Sequence, residues 1–579
     1  MDFHSEEELR ILRHSTAHVL AQAVKGLFPK AKLGIGPATD DGFYYDFEVE
    51  SPFSPGDLKR IEDRMGEIVR DDSPFVRKVV SREEALRIFE DLGENYKVEL
   101  LKEIEDDRVT LYHQGDFVDL CKGPHIERTG ELKAFRLLNV AAAYWRGDEK
   151  RGSLQRIYGT AFATEEELEQ YLKVLEEARK YDHRKLGREL ELFSIYEEAG
   201  AGLVYWHPKG TALRRVIEDF WKDEHIKRGY ELVSIPHIAR GKLWRTSGHY
   251  EFYRENMYFL NSGEEEYVLK PMNCPGHILI YQTCRHSYRE LPVRYAELGT
   301  VYRQERTGVL HGMFRVRGFT QDDAHIFCTP EQTFDELVGV IDLAIFMLNS
   351  FGFTDFEIEL SVRGRDTSKY AGSDRDWQMA EEGLIKAVEA KNLSYCRVEG
   401  EAVFYGPKVD IKLLGALRQW WQGPTMQFDF NLPERFGVNY IGADGKSHPV
   451  VMIHRTVLGS MERFIGVLIE HYGGAFPLWL APVQVKVLTI SEKHTEYAGE
   501  IYSRLRDAGI RVECDNRAEK IGFKIREAEI QKVPYLLIVG DEEVSSGKIS
   551  VRQHRKGDCG KSNPADFIEK VKNEIGSKG

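Results

Sequence analysis

Cysteine is scarce in this 579-residue chain: there are seven, at 121, 274, 284, 328, 396, 514 and 559, odd in number and widely scattered. That excludes the disulfide framework of a small secreted domain and points to a reducing cytosol. No apolar run approaches the roughly 18 to 20 residues that span a bilayer, and Met1–Arg10 is acidic rather than basic and then apolar. Membrane insertion and classical secretion are therefore not expected. Repeats and low-complexity tracts are lacking, which removes solenoids and disordered arrays. Also missing are a Gly-x-x-x-x-Gly-Lys-Ser/Thr loop and a Gly-x-Gly-x-x-Gly turn after a strand, so any nucleotide phosphate would have to be held by arginines and a sheet.

The composition is that of a globular chain, 42% hydrophobic, 30% charged and 11% aromatic, long enough for three to five domains. The net charge of −14 is unevenly spread. Residues 483–579 carry 18 basic against 16 acidic side chains, leaving 62 against 78 for the rest. Acidic balance of this kind leaves nucleic-acid binding open, because binding depends on where basic residues cluster.

Charge runs, Pro/Gly clusters and periodicity divide the chain. Ser5 and Glu8 form a capping-box pattern opening a helix that Pro29 ends near Phe28, while Gly42–Val49 and Arg108–His113 read as strands. This α+β block covers 1–163. Residues 164–189 read as one linker helix, with Leu168, Tyr171, Leu172 and Leu175 on one face. Residues 190–481 alternate strand-like runs (Val293–Arg303, Met313–Phe319, Ala402–Leu414, Thr425–Phe430) with helices near 209–228, 330–351 and 374–391, a pattern of antiparallel strands. Residues 482–579 change to an α/β pattern with strands at Val485–Ile490, Ile510–Cys514 and Tyr535–Val539. The fold class expected is α+β, multidomain.

Three groups of residues could carry chemistry. His14 and His18 lie four apart on a helix, so both rings leave one face, and Cys121 and His125 repeat the interval in a Gly/Pro-containing stretch. They suit a polar or metal-binding pocket; the competing reading is two solvated histidines and a small buried thiol. Arg303, Glu305, Arg315 and Arg317 flank the turn-rich Arg306–Gly312, and alternation in 314–317 sends two arginines to one side. Guanidinium clusters suit phosphates, and a surface ion-pair ladder is the alternative. Cys274, His325 and His454, separated by 51 and 129 residues, are no zinc finger. One thiol and two imidazoles with a position left open is nevertheless a catalytic-zinc donor set, although spacing alone does not select this triple among 19 histidines.

Tyr302–Glu305, Arg315–His325 and Gly459–Phe464, in that order, resemble motifs 2 and 3 of class II aminoacyl-tRNA synthetases, and Pro236 in Leu232–His237 suits motif 1. Lys270–His277 and the segment around His454 resemble the threonyl-tRNA synthetase family in particular, and the resemblance covers essentially the whole chain. It implies an editing domain over 1–163, a linker helix over 164–189, a class II antiparallel-sheet catalytic domain over 190–481 and a C-terminal α/β anticodon-binding domain over 482–579. The implied activity is a threonine:tRNA ligase that makes threonyl-adenylate from threonine and ATP, transfers threonine to tRNA(Thr) and hydrolyses mischarged seryl-tRNA(Thr). A cytoplasmic homodimer using Zn²⁺, and Mg²⁺ with ATP, goes with it.

Carried over residue by residue, the resemblance gives Cys274, His325 and His454 to zinc. Arg303, Glu305, Arg315, Phe319, Gln422 and Arg463 go to ATP, and Asp323 to the threonine hydroxyl. Met272, Gln321, Tyr405, Lys408, Gln427 and Ser460 would surround the adenylate or the tRNA terminus, with His249 near the terminal ribose. Editing falls to His14, His18, Cys121 and His125 with Lys97 and Asp119, and anticodon contacts to Asn516, Lys520, Glu543 and Arg552. Two features depart from the family pattern. Ala518 stands where Asn is common, and the chain starts in the editing-like block, without the small ubiquitin-like domain of many relatives.

The assignment is physically coherent. An apolar pocket separates threonine from its near-isostere valine by only about 10²-fold, whereas a metal and a carboxylate left unsatisfied by valine penalise it far more. Serine keeps the hydroxyl and lacks one methyl, a difference of roughly 1 to 3 kcal/mol, so a second, hydrolytic site is required. Two readings from other classes are a metal-dependent hydrolase confined to the first block and a noncatalytic RNA-binding regulator. Arg303, Glu305 and Arg463 disfavour both.

Overall fold

The structure, a computed structural model, describes residues 6–39, 41–147, 151–366, 370, 372–403, 405–415 and 420–578. Ser5 of the expected capping box lies outside them. Contacts divide the chain into two units, Met1–Glu177 and Ala178–Gly579. Among the described residues no helix is long and apolar enough to cross a membrane.

In the first unit the helix Glu6–Leu27 buries Ala17, Leu20, Ala21 and Val24, the three-and-four spacing of one face. These share a core with Phe43, Tyr45 and Phe47 of the strand Phe43–Glu48. That strand belongs to an antiparallel sheet ordered Lys32–Leu33, Phe43–Glu48, Ser153–Phe162, Ala134–Tyr144. Buried Asp46 is balanced by a two-point bond from Arg156 at 2.6 and 2.9 Å. A second antiparallel sheet, Phe75–Ser81, Arg108–Gln114, Phe117–Leu120, delivers the Cys121 segment. Both strands expected here form, within a residue at each end.

The expected single helix over 164–189 is two, Glu165–Tyr181 and His183–Glu189. Asp182 breaks it: its carboxylate accepts the Arg184 N–H at 2.7 Å and caps the second helix.

The second unit is built on an eight-stranded sheet ordered Glu231–Leu232, Val293–Tyr302, Gly318–Cys328, Val451–Ser460, Trp420–Asp429, Lys408–Leu414, Phe356–Val362, Cys396–Glu399. The interior pairs are antiparallel, as expected, and the two outermost are parallel. Period-2 alternation gives the sheet two different faces. Ala324, Ile326, Val409, Ile411, Met426, Phe428, Ile453 and Val457 join one core with the helices Pro208–Lys227, Thr333–Ser350, Asp374–Ala390 and Met461–Tyr472. Many of their sequence neighbours on the other face are polar, among them Asp323, His325, Lys408, Thr425, Gln427, His454 and Thr456.

Met313–Phe319 is not a strand. Residues 312–314 turn between a lone His311↔Arg315 bridge, and the strand begins only at Gly318. The alternation arises because Met313, Phe314 and Val316 bury into packing beneath a loop while Arg315 stays exposed. His183 pins this loop, accepting the Met313 N–H at 3.0 Å on Nε2 while Nδ1 bonds Glu470 at 2.7 Å. The Ala402–Leu414 run likewise shortens to Lys408–Leu414, preceded by a Val403↔Gly406 bridge.

The C-terminal part is a five-stranded sheet ordered Val512–Asp515, Val485–Thr489, Tyr535–Val539, Ile549–Gln553, Gly557–Ser562, parallel in its first three strands and antiparallel beyond. Helices Thr495–Asp507, Ile521–Ile530 and Pro564–Gly576 accompany it, the α/β arrangement expected.

Candidate active site

The polar face of the large sheet floors a cavity of about 360 Å³. Odd-numbered residues of Gly318–Cys328 enter it as Phe319, Gln321, Asp323 and His325; the neighbouring strands add Lys408, Thr425, Gln427, His454 and Thr456. His325 and His454 are direct cross-strand partners, with ring centroids 4.7 Å apart. Cys274, at the start of the helix Cys274–Tyr281, completes the set, and the ligating atoms of all three lie within 4.8 Å of one another.

The donor set fits a zinc ion. All three side chains are buried, and a further group engages each imidazole: His454 Nε2 bonds Asp429 at 2.7 Å, and His325 Nδ1 bonds His277 Nδ1 at 2.8 Å. Such bonds fix tautomer and ring orientation, leaving the second ring nitrogen for a metal. His277 in turn bonds Glu297 through Nε2 at 3.3 Å. Beside the triple, burial raises the Asp323 carboxyl above the usual carboxylate range, and Asn273 donates to it at 3.1 Å.

The other end of the cavity is cationic. Arg303 lies between the Tyr253 and Phe319 rings, 5.7 and 5.0 Å from their centroids, and donates to the Pro271 carbonyl. Arg463 is held by the Phe314 and Gln422 carbonyls; burial, with Arg303 and Arg315 close by, brings its pKa down to about 10. Arg315, exposed and outside the cavity lining, pairs with Glu305 at 3.0 Å. Ser460 caps the helix carrying Arg463, its hydroxyl accepting the Arg463 N–H. Three neighbouring guanidiniums make a polyanion site.

Sequence reasoning overlooked Asp410, which organises the remaining wall: Lys408, Gln422 and Thr425 each donate to it at 2.6 Å. Tyr405 donates to Gln427 at 2.6 Å. Tyr253 was also missed; period-2 alternation around Lys408 could have found Asp410, but no local signal marks Tyr253. His249 lies behind the wall rather than on it, fully buried, with Nε2 2.8 Å from Met272 Sδ and Nδ1 bonded to Ser247. Burial takes its pKa down to about 3, so it is neutral.

In the first unit, His14, His18, Cys121 and His125 meet as the intervals anticipate. Cys121 Sγ lies 3.4 Å from His14 Nε2 and 3.3 Å from His125 Nε2. Burial lowers all three histidines, His125 to about 2, and pushes the thiol up to about 11. Behind His18, Asp119 bonds Lys97 at 2.5 Å and accepts from Tyr45 at 2.7 Å, an all-buried network in which Tyr45 had no sequence signal. A cavity of about 320 Å³, lined by His14, Gly123, Pro124 and Arg10 among others, opens beside the cluster.

Asn516 and Lys520 are exposed before the helix Ile521–Ile530. Glu543 is buried and committed to the Gly540 N–H and the Ser550 hydroxyl, and Arg552 is half-buried.

Three segments match known families: residues 109–158 the second additional domain of threonyl and alanyl tRNA synthetases, 253–472 the class II tRNA synthetase core domain (G, H, P, S and T), and 484–574 an anticodon binding domain. The chain is 54% identical over 573 residues to a threonine–tRNA ligase of Citrifermentans bemidjiense, covering 99% of this chain and 90% of the relative. It is 56% identical over 546 residues to one of Dehalococcoides mccartyi, covering 94% and 93%. The solved RNA-binding domain of threonyl-tRNA synthetase from Cryptosporidium parvum is similar at 39% identity and TM-score 0.65, over 68% of this chain and 98% of that one.

Proposed function

Since the chain belongs to the threonine–tRNA ligase family, we propose that the sheet-face cavity activates threonine and charges it to tRNA(Thr), and that the His14/His18/Cys121/His125 cluster hydrolyses seryl-tRNA(Thr). The enzyme is a ligase with a class II core, and its editing domain is the one shared by threonyl and alanyl synthetases. The meeting of Cys274, His325 and His454 beside Asp323, in one cavity with Arg303 and Arg463, is the observation that carries this reading.

In the first step a threonine carboxylate oxygen attacks the ATP α-phosphorus and pyrophosphate leaves. Arg303 and Arg463 from the cavity wall, and Arg315 from the exposed loop beside it, offset the charge that builds on the phosphate oxygens. Phe319 and Gln422 border the nucleotide, while Gln321, Tyr405, Lys408, Gln427, Ser460 and Met272 line the adenylate. Asp323 accepts the threonine hydroxyl. Cys274, His325 and His454 would hold zinc, which supplies Lewis-acid affinity for the amino and hydroxyl groups. Magnesium accompanies ATP and eases its charge. His249, neutral and in contact with Met272, assists transfer to the tRNA terminal ribose by positioning that wall residue; unchanged single-turnover transfer in His249→Ala would remove the role.

In the editing cluster, neutral imidazoles can accept hydrogen bonds from a water and order it for attack on the seryl ester, with the Lys97–Asp119–Tyr45 network holding His18. Anticodon contacts go to Asn516, Lys520 and Arg552, and Glu543 shapes their support. Domains at 1–163, 190–481 and 482–579 with the linker 164–189, a homodimer and a cytoplasmic location complete the proposal.

The test is amino-acid-dependent ATP–pyrophosphate exchange without tRNA. Strong exchange with threonine, weaker with serine and almost none with valine is expected. Absence of exchange with threonine in folded, zinc-replete protein would leave a stand-alone hydrolase or an RNA-binding regulator instead.

A further inference from the structure

Asn273 is fully buried between Met272 and Cys274, two residues of the cavity wall, and does not itself line it. Its side-chain amide donates to Asp323 Oδ2 at 3.1 Å and reaches the Gly299 carbonyl at 3.5 Å. Both partners are acceptors, so the orientation of the amide is fixed: turned over, its oxygen would face a carboxylate. Its main-chain carbonyl meanwhile accepts the Gly276 and His277 N–H groups, tying the residue to the first turn of the Cys274 helix. Opposite lies Gly299, in the neighbouring strand and two residues from Glu297, the cross-strand partner of Asp323. A Cβ at position 299 would stand 2.5 to 2.6 Å from Nδ2, Cγ and Oδ1 of Asn273. No side chain larger than hydrogen at 299 leaves the amide where it is.

We propose that Asn273, seated on Gly299, is the positioning residue that sets the rotamer of Asp323, and through it the preference of the cavity for a hydroxyl-bearing amino acid over an isosteric apolar one. The proposal rests on the reading in which Asp323 receives the threonine hydroxyl. One oxygen of Asp323 is taken by Asn273, which leaves the other for the substrate; the amide also compensates the buried carboxylate without adding a cation that would compete for the hydroxyl. Loss of the amide lets the carboxylate turn, so threonine loses a hydrogen bond to a charged acceptor while valine, which never made it, loses nothing.

The experiment uses the full chain in pyrophosphate exchange with threonine, serine and valine, comparing Asn273→Ser, Gly299→Ala and the double variant. A hydrogen bond to a charged group corresponds to about a tenfold effect or more, so each single variant should lower the threonine-to-valine preference by about tenfold, through the threonine KM, with the KM for ATP unchanged. Gly299→Ala acts by displacing Asn273; with Ser at 273 there is nothing to displace, and the added Ala should cost nothing further. Effects of the two changes that simply multiply, or a Gly299→Ala variant that keeps the wild-type preference, would overturn the proposal. Either single variant suffices for the preference measurement should the other fail to fold. Asp323→Asn separates this from the underlying reading: if it leaves the preference intact, both fall, whereas a preference lost in Asp323→Asn and kept in the other two overturns the positioning role alone.

Discussion

Glu297→Gln should loosen a zinc ion that Glu297 does not touch. Glu297 accepts from His277 Nε2 at 3.3 Å, so His277 Nδ1 carries the lone pair and accepts from His325 Nδ1 at 2.8 Å, which leaves His325 Nε2 unprotonated for the metal. The Ile235 N–H, 3.0 Å from Glu297 Oε1, would hold the glutamine carbonyl oxygen on its side and turn the amide NH₂ toward His277. The chain of tautomers then runs the other way, and His325 Nε2 acquires the proton. His277 and His325 are at most 1% exposed and Glu297 6%, so water cannot make good the mismatch. Restoring the ligating tautomer leaves one buried hydrogen bond unmade, a cost of about 1 to 3 kcal/mol, or roughly 10- to 100-fold in metal affinity. Competition for zinc against a chromogenic chelator at fixed pH reads this without reference to activity. A folded Glu297→Gln protein that holds zinc as the wild type does would refute the relay.

Arg463→Ala should slow exchange by about 10²- to 10³-fold, the usual loss when a preorganised charge-stabilising donor is removed, while leaving the melting temperature close to wild type. Cys121→Ser and His14→Ala should abolish hydrolysis of seryl-tRNA while leaving exchange with threonine intact; equal loss of both activities would argue against separate sites. His225 gives a pH dependence. It is fully buried, stacked on Trp221 with centroids 3.8 Å apart, and burial with the nearby Arg455 takes its pKa from 6.5 to about 2. The unfolded chain binds that proton first, so stability present above pH 6.5 is lost as pH falls toward the folded value, by roughly 2 kcal/mol between pH 6.5 and about 5 for this group alone. Thermal melts should therefore fall over that interval, and less steeply in His225→Phe; parallel curves for the two proteins would contradict this.

Local periodicity made part of this legible. The intervals His14 to His18 and Cys121 to His125 are short enough for a helix and a tight Gly/Pro turn to fix, and both pairs meet in the cluster. Strands such as Val293–Tyr302 and Tyr535–Val539 announced themselves by composition and length. The same rule misled at Met313–Phe319, where alternating burial comes from a loop pinned by His183 and not from a pleated strand. It also missed the break at Asp182, because a helical face of leucines says nothing about a capping carboxylate at its end.

The sequence by itself determined which chemistry was available: the clustered arginines, the histidine and cysteine donors, and the motif order that carries the family resemblance. Only the tertiary structure decided how that chemistry is assembled. His325 and His454 lie 129 residues apart and become neighbours through the register of two antiparallel strands. Asp322 and Asp323, adjacent in sequence, are sent to opposite faces of one strand. The first accepts the Val457, Leu458 and Gly459 N–H groups at 2.8 Å, where the register shifts against Val451–Ser460, and the second enters the cavity. Asn273 and Gly299 acquire their roles in the same way, because a hydrogen bond or a steric limit exists only once two distant segments have been brought within a few ångströms.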